Sequence, residues 1–235
     1  MSTERVKAHF EAEAQEFDMI IQKLIPHYNE MIVALVSVIP FARESAFAMI
    51  DLGCGTGTVS KAVKDSFPNV AVTCVDIAEP MLQIAKKKIG GKVNCIQADF
   101  NRFVFPQKYD LIVSSLALHH LADDGAKLGF YQAIYAALNA GGMFINIDVV
   151  LGSDEKLQKV FMEKWRQFMA KSVAEEEITG KWLPNYYAED RPAALMTHLA
   201  MLKECGFSAV DVIYKYYNYA VYGGKKQGQI NNKEY

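Results

Sequence analysis

Three carboxylates end three successive apolar runs of the chain. Asp51 lies in Ala46–Leu52, Asp76 closes Val70–Val75, and Asp99 follows Val93–Gln97. After the first run come Gly53, Gly55 and Gly57, at every second position. Glycine lets a chain turn tightly and lets a ligand approach its backbone. A helix that follows such a turn aims free N–H groups at an anionic group. An acid about 20 residues further on, as Asp76 is, stands where the two hydroxyls of a ribose are met in nucleotide folds. Asp99, with Ala98 before it and Phe100 after it, suits the polar edge and the face of an adenine. His119 and His120 follow a fourth apolar run, and a neutral imidazole there can accept a proton from a nucleophile. Together these residues point to a nucleoside-bearing cofactor beside a reacting group.

The elements that must position them alternate. Strands are predicted at Ala46–Leu52, Val70–Val75, Val93–Gln97, Tyr109–Ser114 and Met143–Val150. Helices are predicted between them, at Thr58–Phe67, from Glu79-Pro80 to the Gly90-Gly91 stop, and at Leu128–Leu138. Five strands alternating with helices imply an α/β fold with a parallel sheet covered on both faces. Such sheets bind ligands at the carboxyl ends of their strands, where all three acids fall. Ahead of the core, apolar spacing over residues 8–39 predicts two helices broken at Ile25–His27 by Pro26. Beyond it, Asp154–Ser172 and Arg191–Glu204 read as helices. A connecting segment between them carries Glu175–Glu177, Trp182, Tyr186 and Tyr187. Ala209–Tyr222 holds two β-rich runs, and the Gly-, Lys- and Asn-rich end from about 225 reads as a frayed tail.

In order and spacing, these motifs resemble those of class I S-adenosylmethionine-dependent methyltransferases. They are Asp51-Leu52-Gly53-Cys54-Gly55-Thr56-Gly57, Val75-Asp76-Ile77-Ala78 with Met81-Leu82, Gln97-Ala98-Asp99-Phe100, Tyr109-Asp110-Leu111-Ile112, Ser114 to Leu121 with His119-His120, and Leu138-Asn139-Ala140-Gly141-Gly142. The resemblance covers residues 46–150. It implies a Rossmann-like, seven-stranded, mostly parallel sheet with its last strand antiparallel. It implies S-adenosyl-L-methionine as cofactor, with Asp51, Gly53, Cys54 and Gly55 along the methionine half and Asp76 on the ribose. Ile77 and Met81 would pack on the adenine, Ala98, Asp99 and Phe100 would surround its edge, and Leu116 would lie beside the methionine. The N-terminal segment resembles the helical lid of small-molecule and tRNA-pathway members, which gives Tyr28 the place of a closing tyrosine. Thr197 to Phe207 resembles the late helix of carboxy-S-adenosylmethionine synthases. Met201 stands where those enzymes carry a carboxylate-binding arginine, and Arg191 is the nearby candidate to replace it.

The expected organisation is one domain: a lid at 1–42, a cofactor core at 43–152, a helical substrate side at 153–208, strands at 209–224 and a tail at 225–235. The expected chemistry is in-line methyl transfer, with His119 and His120 as candidate catalytic groups and no metal ligands assigned. Three other functions compete with it: a carboxy-S-adenosylmethionine synthase, a non-catalytic cofactor-binding module, and an NAD-dependent oxidoreductase. The last is disfavoured because Ser60 ends the glycine pattern and Asp51 precedes it. A net charge of -2 provides no basic field for nucleic acid, which favours a small-molecule acceptor. The run Lys86-Lys87-Lys88 reads as a solvated helix end. Cys54, Cys74, Cys95 and Cys205 form no paired motif and read as reduced thiols of a cytoplasmic protein. No apolar run is long enough to span a membrane. The N-terminal helices are the candidate surface for a homodimer.

Overall fold

A computed structural model describes residues 3–228. Seven strands form one sheet in the order β3-β2-β1-β4-β5-β7-β6. These are β1 (Ala48–Leu52), β2 (Ala71–Asp76), β3 (Val93–Gln97), β4 (Tyr109–Ser115), β5 (Leu138–Val149), β6 (Ser208–Tyr216) and β7 (Tyr219–Lys225). The first five are parallel, and β7 is antiparallel to both β5 and β6. The order reverses between β1 and β4: the chain builds outward through β2 and β3, then returns to place β4 on the other side of β1. That reversal opens a crevice at the carboxyl ends of β1 and β4.

The strands are apolar on both faces because both are covered. Met49, Leu111, Val113, Ile145 and Ile147 point to one side. There they meet α2 (Phe17–Leu24), α3 (Tyr28–Ser37), α4 (Thr58–Ser66), α5 (Glu79–Ile89) and α7 (Glu155–Met169). The alternating residues Ile50, Leu52, Ile112 and Phe144 pack on α6 (Asp124–Ala137) and α10 (Leu195–Glu204). The period of two along each strand sends neighbouring side chains to opposite layers.

Several elements depart from the sequence reading. The N-terminal segment forms three helices, because a turn after α1 (Thr3–Glu13) precedes α2. The segment carrying Glu175–Glu177, Trp182 and Tyr186 is helical throughout. It runs as α8 (Glu175–Glu177), a π-helical turn at Ile178–Trp182 and α9 (Leu183–Glu189), and it buries Trp182 and Tyr186 in the core. The helix expected from Arg191 begins only at Leu195, since Ala194 is extended and bridges to Leu151. The helix expected from Leu128 begins four residues earlier, where Asp123 caps it by accepting from the Ala126 N–H at 2.8 Å. Lys225, assigned to the tail, ends β7, an interior strand; residues 229–235 of that tail lie outside the described residues.

Candidate functional site

The loop leaving β1 holds the centre of the crevice. Gly53, Gly55 and Gly57 all have positive φ, of 70°, 51° and 79°. Two of the three also lack room for a side chain. A Cβ on Gly53 would lie 2.3 Å from the Ala117 Cβ, and one on Gly57 would lie 2.9 Å from the Ala85 Cβ. The first glycine lets the β1 and β4 loops touch, and the third lets α4 start against α5. Space above Gly55 is bounded by the Phe17 ring, 3.6 Å from where its Cβ would be.

Below this loop lies a cavity of about 290 Å³, near the lower end of small-molecule sites. It brings together Tyr28, Asp51, Gly53, Cys54, Gly55, Asp76, Ile77, Met81, Ala98, Asp99, Phe100, Leu116 and His120. Every residue assigned to cofactor binding from the sequence therefore lines one cleft. Of the two histidines, only His120 does so; His119 is buried behind it, which corrects the reading that both face the cleft. Met201 is buried against the layer of α6 and does not line the cleft, whereas Arg191 does.

The acids differ in what already holds them. Asp76 accepts from the Gly55 N–H at 2.8 Å and from the Ala78 N–H at 2.9 Å, one through each oxygen. Each oxygen keeps a second lone pair for a ligand hydroxyl. Asp51 is fully buried; its Oδ2 accepts from the Ser60 hydroxyl at 2.7 Å, and its Oδ1 has no partner among the described residues. Burial, and then the charge of Asp76, push Asp51 up to about 7 despite the Ser60 bond. Asp99 Oδ1 closes a local turn by accepting from the Asn101 backbone and side chain. Leu116 has a positive φ of 52°, rare for a branched residue, and its backbone N–H is fixed by the Ile147 carbonyl at 2.8 Å.

Helices α1 and α2 cross this site. Phe10 of α1 meets the His120 ring edge-on, with centroids 5.7 Å apart, and His9 pairs with Glu189 of α9 at 2.6 Å. Asp18 of α2 accepts from Thr56 of the glycine loop at 2.5 Å and from Thr58 at the start of α4 at 3.3 Å, and pairs with Lys88 of α5 at 2.6 Å. Lys88 is therefore not the solvated helix end that its charge run suggested. Burial works against the Asp18 charge, but Lys88 and Thr56 outweigh it and hold the carboxyl below its usual range. His27, at φ 57°, turns the chain from α2 into α3 and delivers Tyr28 to the cleft.

At the far end, His119 and His120 occupy a short 3-10 turn, Leu118–His120. His119 Nδ1 lies 2.5 Å from Asp148 Oδ1, and its Nε2 lies 3.6 Å from Asp190. Burial alone would depress His119, yet the Asp190 and Asp148 carboxylates lift it to about 9. His120 goes the other way, to about 3, through burial and then the charge of His119. Asp148 lies on the α6-side face of β5, where Asn146 donates to it at 3.2 Å and Tyr222, Tyr131 and His198 extend the buried network. Sequence reasoning missed Asp148, although a lone acid inside the apolar run Met143–Val150 is a visible signal. It also missed Phe10, Phe17 and Asp18, which only the tertiary fold brings to the site.

Residues 49–142 match a family model described as a methyltransferase domain. Over nearly its whole length the chain is similar to the carboxy-S-adenosyl-L-methionine synthase of Campylobacter lari, at 26% identity, covering 89% of this chain and 90% of that protein. Residues 49–142 thus carry a methyltransferase domain, the one stretch that the family model describes. A shorter stretch, 43% of the chain and 39% of the relative, is 32% identical to malonyl-[acyl-carrier protein] O-methyltransferase 2 of Ilyobacter polytropus. Among solved structures, PigF with SAH superposes with a TM-score of 0.65 at 19% identity, a likeness of fold. This chain is covered to 96% and spans 62% of PigF. The chain thus has the Rossmann-like sheet that its motifs implied, and its matched domain is that of a methyl-transferring enzyme. No helix of the described residues is long and apolar enough to cross a membrane.

Proposed function

We propose that the enzyme moves a methyl group from S-adenosylmethionine to a small molecule held at the His120–Arg191 end of the cleft. When bound, the cofactor supplies a methyl group already activated on a sulfonium. The protein then has to hold, orient and exclude water. The observation that carries this reading is Asp51 Oδ1, a buried carboxylate oxygen without a partner in the cleft wall. A buried unpaired carboxylate is costly and calls for a cation such as the ammonium of the methionine moiety. In this assignment Asp51, Gly53, Cys54, Gly55 and Tyr28 hold the methionine half, and Asp76 takes the ribose hydroxyls. Ile77, Met81, Ala98, Asp99 and Phe100 surround the adenine, and Leu116 supports the reacting centre. Phe10, Phe17 and Asp18 close the lid and keep water out.

His120 is the group proposed to touch the acceptor, with His119 behind it as its support. Calorimetric titration with S-adenosylmethionine and with NAD, on the wild type and Asp76→Ala, tests the assignment. Binding of the first alone, lost in the variant, supports it; well-folded protein that binds neither overturns it.

A second reading follows the full-length relatives, which are named carboxy-S-adenosyl-L-methionine synthases. Met201 offers such a cofactor no charge, but the Arg191 guanidinium at the rim of the cleft could meet an added carboxylate. Titration with the carboxylated cofactor separates the two. Met19 and Val33, exposed on α2 and α3, are the apolar side chains that a homodimer would cover. Sedimentation of the Met19→Lys variant beside the wild type tests that pairing.

A further inference from the structure

We propose that His119, His120 and Asp190 form a binding site for a first-row divalent transition metal ion at the acceptor end of the cleft. One ligand atom from each of these three residues lies within 4.8 Å of the other two. Asp190 Oδ1 is 3.6 Å from His119 Nε2 and 3.6 Å from His120 Nδ1. Zinc-like ions bind imidazole nitrogen and carboxylate oxygen at about 2.0–2.2 Å. Two such ligands on one ion are then about 3.0–3.5 Å apart, so a small side-chain rotation brings the set to bonding distance.

A second observation is independent of these distances. The other nitrogen of His119 is hydrogen-bonded to the buried Asp148, which is itself held by the Asn146 side chain and by the Val149 N–H at 3.0 Å. A metal-bound histidine almost always gives its second N–H to a carboxylate or carbonyl, which fixes the ring and its tautomer. Here that arrangement leaves Nε2 of His119 directed towards Asp190. The two segments are also tied by backbone: the Arg191 N–H donates to the His119 carbonyl at 2.8 Å. His120 Nδ1 lies 3.3 Å from the Glu189 carbonyl, a long contact that a bound ion would replace.

The donor set selects the ion. Two imidazoles and one carboxylate suit zinc, iron, cobalt or nickel, whereas calcium and magnesium prefer oxygen alone. Three protein ligands also leave coordination positions free. Of the three ligands His120 lines the cleft, which sets the ion beside the proposed acceptor space, where a hydroxyl or carboxylate oxygen of the substrate could complete the shell. That role rests on the methyl-transfer reading above; the binding of the ion does not.

The test is a titration of tag-free, metal-stripped full-length protein with Co²⁺, followed by visible absorption and by the ring signals of ¹⁵N-labelled histidine. S-adenosylmethionine binding is measured in parallel on the same samples. One equivalent of Co²⁺ should bind with a visible d–d band, and the His119 and His120 signals should be the ones shifted. Asp190→Asn should weaken the ion at least about 10-fold, and Asp148→Asn by about 10-fold through the ring it orients. No stoichiometric binding, or shifts at other histidines, would overturn the proposal even if the variants failed to fold. Cofactor binding that persists in that case would leave the methyltransferase reading intact. Loss of cofactor binding with the metal site present would do the reverse.

Discussion

The backbone N–H of Gly55 donates to Asp76 Oδ2 at 2.8 Å, so the tip of the glycine loop and the acid ending β2 move as one body. The other oxygen of Asp76 fixes the Ala78 N–H at the start of α5. A single carboxylate thus joins three parts of the cleft before any ligand arrives.

Asp76→Ala therefore removes more than one contact with the ribose. It strands two backbone N–H groups, each a bond to a charged acceptor worth about 1.5–3 kcal/mol. Affinity for S-adenosylmethionine should fall by roughly 10- to 100-fold. The melting temperature of the free protein should also drop. A variant with weakened binding and unchanged melting would show that Asp76 serves the ligand alone. Asp76→Asn should recover part of the stability, since its amide oxygen can still accept one bond.

Asp51 predicts a proton coupled to cofactor binding. Its carboxyl is raised to about 7, so close to neutral pH it is part protonated in the free protein. A cationic ligand group favours the anion, so binding near pH 7 should release a fraction of a proton. Affinity should weaken as pH falls below about 7. Calorimetry in buffers of different ionisation heat reads that fraction directly, and Asp51→Asn should abolish it. The stability effect has the opposite preference. A native pKa above the unfolded value of about 3.9 means that the native state binds more protons between the two, so stability declines as pH rises from about 4 to 7. The free Asp51→Asn protein should therefore melt higher than wild type at pH 8, with the gap closing towards pH 5.

The lining of the cleft was legible in the sequence because its polar residues sit at strand ends. Asp51, Asp76 and Asp99 each close an apolar run, and parallel strands bring such ends to one edge. Gly53 and Gly57 were visible for a related reason: no other residue fits a left-handed turn against a neighbouring backbone. The lid segment, Tyr28, His119, His120 and Arg191 were legible as candidates, but the partners that place them were not. Asp18, Lys88 and Phe17 are ordinary amphipathic-helix residues whose partners lie dozens of positions away. Glu189, Asp190 and Arg191 fell at the boundary of a helix expected to start too early. Placing that start at Leu195 needs the bridge between Leu151 and Ala194, which has no local signature. Of the pair His119 and His120, the sequence identified both but could not say which turns outward, since that depends on Asp148 receiving one ring from beneath.

The glycine loop separates steric from conformational cost. Gly53 and Gly91 have nearly the same φ, 70° and 67°. A Cβ at Gly53 collides with Ala117 at 2.3 Å, while nothing lies within 4 Å of one at Gly91. Gly91→Ala should cost about 1 kcal/mol, the strain of a left-handed residue. Gly53→Ala should cost about 2 kcal/mol more, because the collision must also be relieved by moving the loop after β4. Urea denaturation of both variants measures the difference. Equal losses would mean that the Ala117 loop yields freely, and the close packing of the two loops would lose its claimed importance.

The lid should respond to the pair formed by Lys88 and Asp18, which lie 2.6 Å apart with side chains 24% and 47% exposed. A partly exposed pair of this kind contributes no more than about 1 kcal/mol. Lys88→Met should therefore weaken cofactor affinity less than about 5-fold, far less than Asp76→Ala does. The change should appear mainly in a faster dissociation rate, because Lys88 also donates to Thr56 and Thr58 at 2.8 and 3.0 Å and so joins α2 to the loop it covers. Raising the salt concentration should speed release from wild type and leave the variant nearly unchanged. Acid should act in the same direction, since the Asp18 carboxyl is held below its ordinary range and loses this stabilisation as pH falls through its depressed value. Stopped-flow displacement of a fluorescent cofactor analogue would read these rates. A Lys88→Met protein with wild-type release and undiminished salt dependence would mean that Phe10 and Phe17 close the lid by packing alone.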